Sequence, residues 1–157
     1  MKSRLLIPVM AACCAIIACA PRYAVSVPGP SGGSPDAESS IRELMVRNLI
    51  ATEPAGDIVL ISFGASRLDN VDPPQAFFER LAGVPVTVKP ASQYDAAQHP
   101  NALLIVVHDV QPASDTEANV AVTRFRYGVG ASDGFTAAVE WRDGVWKIAE
   151  TSRHWST

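Results

Sequence analysis

The stretch Val139–Ile148, "VEWRDGVWKI", constrains the fold of this chain more than any other. Asp143-Gly144 is a two-residue hairpin loop of the kind that tolerates positive φ at both positions. With those two residues in the turn, Arg142 faces Val145, Trp141 faces Trp146, Glu140 faces Lys147 and Val139 faces Ile148. Val139, Trp141, Trp146 and Ile148 then share one face, and the opposite face receives a Glu–Lys pair. A slip of one residue would undo every one of these pairings, so the register is strongly specified.

The rest of the chain supplies the partners for that hairpin. Ser40-Ile41-Arg42-Glu43 matches a capping box, and Ile41, Leu44, Met45 and Leu49 continue at helical spacing. A strand is expected at Asp57–Phe63, ended by Gly64. Asp72 as N-cap, Pro73 at the first helical position and Gln75 at the box position predict a second helix, with Phe77, Phe78 and Leu81 inward and Gly83 at its end. Val84–Val88 reads as an edge strand because it carries Pro85, and Ala102–Val110 as a central strand. Asn119–Tyr127 and Phe135–Arg142 follow, the first with an alternation that shifts phase as at a bulge. The expectation is an α+β domain over residues 40–157, with two helices on one face of a curved, mostly antiparallel sheet of about five to six strands.

All three cysteines (Cys13, Cys14 and Cys19) lie near the N-terminus, so the body contains no disulfide, thiolate nucleophile or cysteine metal ligand. Residues 1–18 have the layout of an export signal: Lys2 and Arg4, then an apolar run from Leu5 to Ala18. That run is shorter than the roughly 20 residues a membrane-spanning helix needs. Ile16-Ile17-Ala18-Cys19 resembles the bacterial lipobox, with Ile17 where a smaller residue is commonest. The resemblance implies lipidation at Cys19 and, with Ala20 next, an outer-membrane location in a Gram-negative host. Ala18-Cys19-Ala20 also satisfies the small-x-small rule for ordinary signal peptidase, which would release a soluble periplasmic or secreted protein. Residues 19–39 include the Pro/Gly/Ser-rich stretch "PRYAVSVPGPSGGSP" and read as a tether between anchor and domain.

Formal net charge is −3 from 13 basic and 16 acidic residues; without Lys2 and Arg4 it becomes −5. With no polybasic run after residue 22, the chain lacks the clustered cations that nucleic acid requires.

Residues 58–155, from "IVLISFG" through "DPPQAFFERLAGVPVTVKP" to "DGVWKIAETSRHW", resemble a family of small, often exported bacterial proteins with no assigned activity. The "DGVWKI" hairpin is also similar to the end of NTF2-like and SnoaL-like cones, folds that commonly enclose a pocket.

Several motifs touch on chemistry. "GASDG", Gly130–Gly134, has the letters of a nucleophile elbow, but it stands between two strands and reads as a loop, whereas the elbow needs a strand-to-helix turn under Ser132. Nor does "YGVGASDG" open a helix, as a dinucleotide-binding loop would. His99, His108 and His154 have no local metal-pair spacing, so no metal or other cofactor is expected. Arg124 and Arg126 continue the phase of Val120 and Val122, so a face that begins apolar ends cationic. With Tyr127, His154 and Trp155 they form a speculative site for a small anionic ligand, or else they pair with acids on the neighbouring strand. No catalytic residue is assigned.

The leading expectation is a lipid-anchored, non-enzymatic envelope accessory domain that binds a protein partner or small ligand. One alternative is a small enzyme with a cone-like pocket, using His108 or His154 as acid/base and Arg124 or Arg126 to orient an acid. Another is a structural envelope component with a flat interaction surface.

Overall fold

The computed structural model describes residues 25–53, 56–64, 69 and 71–157. The expected signal segment, Cys19 and the first part of the expected tether lie outside the described residues. The elements are β1 (Ser26–Pro28), α1 (Pro35–Thr52), β2 (Val59–Ser62), α2 (Gln75–Arg80), β3 (Val88–Pro90), a 3-10 turn (Ala91–Gln93), β4 (Leu103–Pro112), β5 (Glu117–Arg126), β6 (Ala131–Arg142) and β7 (Val145–Ser156).

Among the described residues these make an α+β domain with one curled, mixed sheet of seven strands in the order β1-β7-β6-β5-β4-β2-β3. The pairings from β1 across to β4 are antiparallel. The pairings β4–β2 and β2–β3 are parallel, because the chain crosses over between β2 and β3 through α2. The sheet is larger than the five or six strands expected, and its far end is parallel.

The closing hairpin has the register read from its sequence: Arg142↔Val145, Trp141↔Trp146, Glu140↔Lys147 and Val139↔Ile148. Asp143 at φ 54° and Gly144 at φ 82° give the two consecutive left-handed residues that a tight, right-twisting hairpin loop demands.

Three of the boundaries that differ from expectation have a local reason. Helix α1 starts at Pro35 rather than at Ser40. Ser34 caps it, its Oγ accepting from Ala37 N at 3.2 Å, with Pro35 preset for the first turn and Asp36 and Glu38 beside the positive end of the helix. Ser40 is buried within the helix and its hydroxyl donates back to Asp36 O at 2.9 Å. Helix α2 starts at Gln75, with Pro74 at the cap position. Pro74 disfavours α geometry at Pro73, so the helix cannot begin where Asp72 would cap it. Asp72 instead accepts from the backbone N of Ser92 at 3.1 Å and from its hydroxyl, tying this loop to the 3-10 turn. Strand β3 falls at Val88–Pro90, at the sheet edge as expected but beyond Pro85.

Part of the segment expected as a tether is folded instead. Ser26–Pro28 pairs with β7, and the indole N–H groups of Trp141 and Trp146 donate to Gly29 O at 2.9 Å and Pro30 O at 3.0 Å. The folded body therefore includes residues from 25 onward rather than from 40.

Both helices lie on one face of the sheet. Ile41, Leu44, Met45 and Leu49 of α1, with Phe77 of α2, pack onto Val59, Ile105, Val120 and Val122 in the main core. A smaller core occupies the other face beneath the chain between β3 and β4, where Ile58, Leu60, Ala91, Ala102, Leu104 and Val106 cluster. Strands β2 and β4 are thus covered on both sides, which accounts for their unbroken apolar runs. It also resolves the phase shift expected in β5. That strand pairs with β6 without a break from Glu117 to Arg126; the irregularity sits in β4, between Val107 and Val110. Phe125 and Tyr127 are apolar in the other phase because they pack on the smaller core.

Candidate functional site

The β5–β6 connection decides where charge collects. Gly128 at φ 81° and Gly130 at φ 68° turn the chain so that Arg124 on β5 stands opposite Asp133 on β6. Helix α1 ends over this point. Its last turn contains no basic residue, and Glu53 follows as its C-cap, donating its backbone N–H to Leu49 O. The carbonyl end of a helix favours a cation, and Arg124 supplies one from the sheet.

Arg124 donates Nε to Asp133 Oδ1 at 2.7 Å, Nη2 to Asp133 Oδ2, and Nη1 to Glu53 Oε1. Its guanidinium also lies 5.6 Å from the centroid of Phe135. Asp133 receives a further approach from Arg153 Nη2 at 3.7 Å. The hydrogen bonds that Arg124 donates to Asp133 hold its pKa above the ordinary value; burial opposes this, and the charges of Glu53 and Asp133 add to the rise. A planar fork gripped by two carboxylates is the strong, geometrically selective form of ion pair.

Beside this hub is a cavity of about 200 Å³, lined by Glu53, Arg124, Arg126, Ser132, Asp133 and Ser156 among others. It is smaller than the roughly 300–1,000 Å³ typical of sites for drug-sized ligands. The residues around it include two arginines, two acids and two serines, types that between them supply both donors and acceptors.

The five residues read from the sequence as one site are divided by the sheet. Arg124 and Arg126 line the cavity on the helix-covered face. Tyr127 belongs to the opposite side, stacked on Tyr94 at 3.9 Å between centroids and edge-on to Phe125 at 4.8 Å. His154 Nε2 lies 2.7 Å from Thr136 Oγ1. Trp155 lies over Gly134 and is 45 % exposed. The register break in β7 opposite Gly134 and Phe135, where one extra residue is accommodated, turns His154 and Trp155 away from the arginines.

The other motifs also resolve. His108 Nε2 is 3.0 Å from Thr123 Oγ1, so it and His154 each meet a threonine hydroxyl. His99 donates its backbone N–H to Asp95 O within a turn. Gly130–Gly134 is not a loop beyond its first residue: β6 begins at Ala131, and Ser132 pairs with Thr157 through both backbone hydrogen bonds, with their hydroxyls 2.9 Å apart. No helix follows Ser132, so the elbow geometry is not formed. Among the described residues no group of three His, Cys, Asp or Glu side chains could hold a metal ion.

A second charged cluster clamps the helices together. Glu43, buried, accepts from Arg47 Nε and Arg80 Nε, each at 2.7 Å, and Arg80 continues to the hydroxyls of Ser39 and Ser40. These donors and acceptors satisfy one another, which reads as a structural lock of α2 on α1.

No family model, curated protein or solved structure matches the chain. Its function therefore rests on its own residues. No helix among the described residues is long and apolar enough to cross a membrane.

Trp155 offers a local check. A Cβ at Gly134 would stand 2.6 Å from Trp155 Nε1 and 2.7 Å from Cε2, too close for the present indole position. Because that ring is half exposed, it can move outward. Gly134→Ala should therefore increase acrylamide quenching of tryptophan emission while changing stability by about 1 kcal/mol or less. A large stability loss with unchanged quenching would show that the indole cannot yield.

Proposed function

We propose that this chain is a lipid-anchored accessory domain of the bacterial cell envelope that binds a small polar ligand without transforming it. The observation that carries the binding reading is the cavity beneath the end of α1, where two arginines, two acids and two serines converge. The lipobox-like Ile16-Ile17-Ala18-Cys19 supports the location. The acid–base alternative needs a histidine oriented by a carboxylate. Among the described contacts, His108 and His154 meet threonine hydroxyls instead, and neither lines the cavity.

Two measurements test the two halves. Intact mass of the protein extracted from host membranes should equal residues 19–157 plus a diacylglyceryl group and fatty acids, and this mass should vanish in Cys19→Ala. An unmodified chain beginning at Pro21 would make the protein a soluble one. For binding, native mass spectrometry of the mature protein after exposure to small molecules from host envelope extract should show an added mass. Ala131→Trp, which places an indole in the cavity wall, should abolish it. No added mass on the wild-type protein would overturn the binding reading.

A further inference from the structure

The point where the folded body begins limits how far it can stand from an anchor at Cys19. We infer that the β1 edge of the sheet is the membrane-apposed side of the domain, and that the surface it lies against is the lipid headgroup layer. This rests on the lipid-anchored half of the proposed function and is independent of the cavity.

Leash length is the first ground. Only residues 20–24 separate Cys19 from Val25, where the folded body begins. A chain advances at most about 3.6 Å per residue, so covalent geometry keeps Val25 within about 22 Å of Cys19. A tether running to Ser40 would have allowed about 75 Å. The difference decides whether the domain can range through the envelope or is kept beside the bilayer.

Attachment is the second ground. The leash joins the body at a fixed point rather than at a fraying end. Val27 is buried, Val25 packs against the main core, and β1 pairs with β7. The indoles of Trp141 and Trp146 hold the next two residues, Gly29 and Pro30. Peeling β1 away to lengthen the leash would expose Val27 and leave both indole N–H groups without their acceptors, so it is unfavourable.

Position in the sheet is the third. β1 is one edge of the sheet and β3 is the other. Neighbouring strands lie about 4.8 Å apart, which places β3 about 29 Å from β1 along the curled sheet. The β1 edge, with the groove beside it lined by Val25, Val27, Glu43 and Arg47, therefore stays within one leash of the bilayer, and the rest of the domain extends from it. Charge does not set this orientation. Arg47, Arg142 and Lys147 border β1 together with Glu43, Glu140 and Asp143, so both signs meet the headgroups and no basic patch is formed. Ligands and partners of the domain are accordingly those present at the bilayer surface.

Short-range energy transfer tests the inference on the lipidated protein, purified from host membranes and inserted into phosphatidylcholine vesicles that carry an acceptor dye on a headgroup. Lipidation blocks Cys19, so a single donor dye can be attached at Ser26→Cys in β1 or Lys89→Cys in β3. Transfer should be at least about twofold more efficient from position 26 than from position 89, and added salt should not change it. Inserting about 15 Gly/Ser residues between Ala24 and Val25 should lower the transfer from position 26 by about twofold. Equal transfer from the two positions, or a signal at position 26 that the insertion leaves unchanged, would overturn the inference. A signal lost in salt would overturn it too, assigning the contact to charge. In each of these cases an intact mass that includes the diacylglyceryl group leaves the lipid-anchored reading standing. If the mass is that of an unmodified chain beginning at Pro21, anchor and orientation fall together.

Discussion

Replacing Trp146 with alanine should lower stability by about 3–5 kcal/mol, read as a drop in the urea midpoint with little change in slope. Trp146 is 1 % exposed and is among the largest fully buried side chains of the domain. It stands opposite Trp141 on β6 and opposite Val27 on β1, so truncation opens a cavity at the meeting of three strands. It would also remove the indole N–H that donates to Pro30 O. Set against a total stability of about 5–15 kcal/mol, the loss is a large share. Trp146→Phe separates the two contributions: it keeps most of the apolar area and should cost far less than the alanine variant, the lost hydrogen bond contributing about 1 kcal/mol. The experiment also tests where the folded body begins. A loss under about 1 kcal/mol for the alanine variant would mean that residues 25–34 do not pack on the hairpin.

How far the sequence could be read depended on whether the informative neighbour was close in the chain. The β6–β7 hairpin was legible because its turn residues and the four pairs that flank them, Val139 to Ile148, lie within ten positions. Helix α2 was legible in its inward residues, but its start depended on the effect of Pro74 on the residue before it, which outweighed the capping signal at Asp72. The strand Ser26–Pro28 was not legible: a short segment among prolines and glycines has no period of its own, and only its partners on β7 and the two indole donors make it a strand. At the cavity, Arg124 and Arg126 stood out because they break an apolar alternation. Asp133 could also have been found, since a four-residue loop over Tyr127–Gly130 sets it opposite Arg124. Glu53 carried no signal at all; it comes from the far end of α1, and only tertiary packing brings it to the arginine. Tyr127 was grouped with the arginines as their neighbour in the chain and His154 and Trp155 as residues expected near them in space, which a change of strand face and a bulge defeat.

Arg124→Ala should cost about 3 kcal/mol, because it leaves Asp133 and Glu53 largely desolvated without their cation. The Arg124 and Asp133 side chains are each only 15 % exposed, and Glu53 is 29 % exposed, so water compensates poorly. The exposed pair Arg142–Glu140 provides the contrast: its arginine is 68 % exposed, and Arg142→Ala should change stability by no more than about 1 kcal/mol. If Arg124 acts through these acids, Arg124→Ala and Asp133→Ala must couple, with the double variant losing less than the sum of the singles by about 1–3 kcal/mol. The pH dependence has a definite sign. A raised folded-state pKa stabilises at every pH below the ordinary arginine value, and that contribution is lost only as pH rises through the folded value. The guanidinium therefore stays charged throughout the neutral range, and the cost of Arg124→Ala should be the same at pH 7 as at pH 9. A cost that fell steeply between those values, or two single substitutions whose losses simply added, would show that the carboxylates around Arg124 do not depend on its charge. The end of α1 would then be held by apolar packing alone.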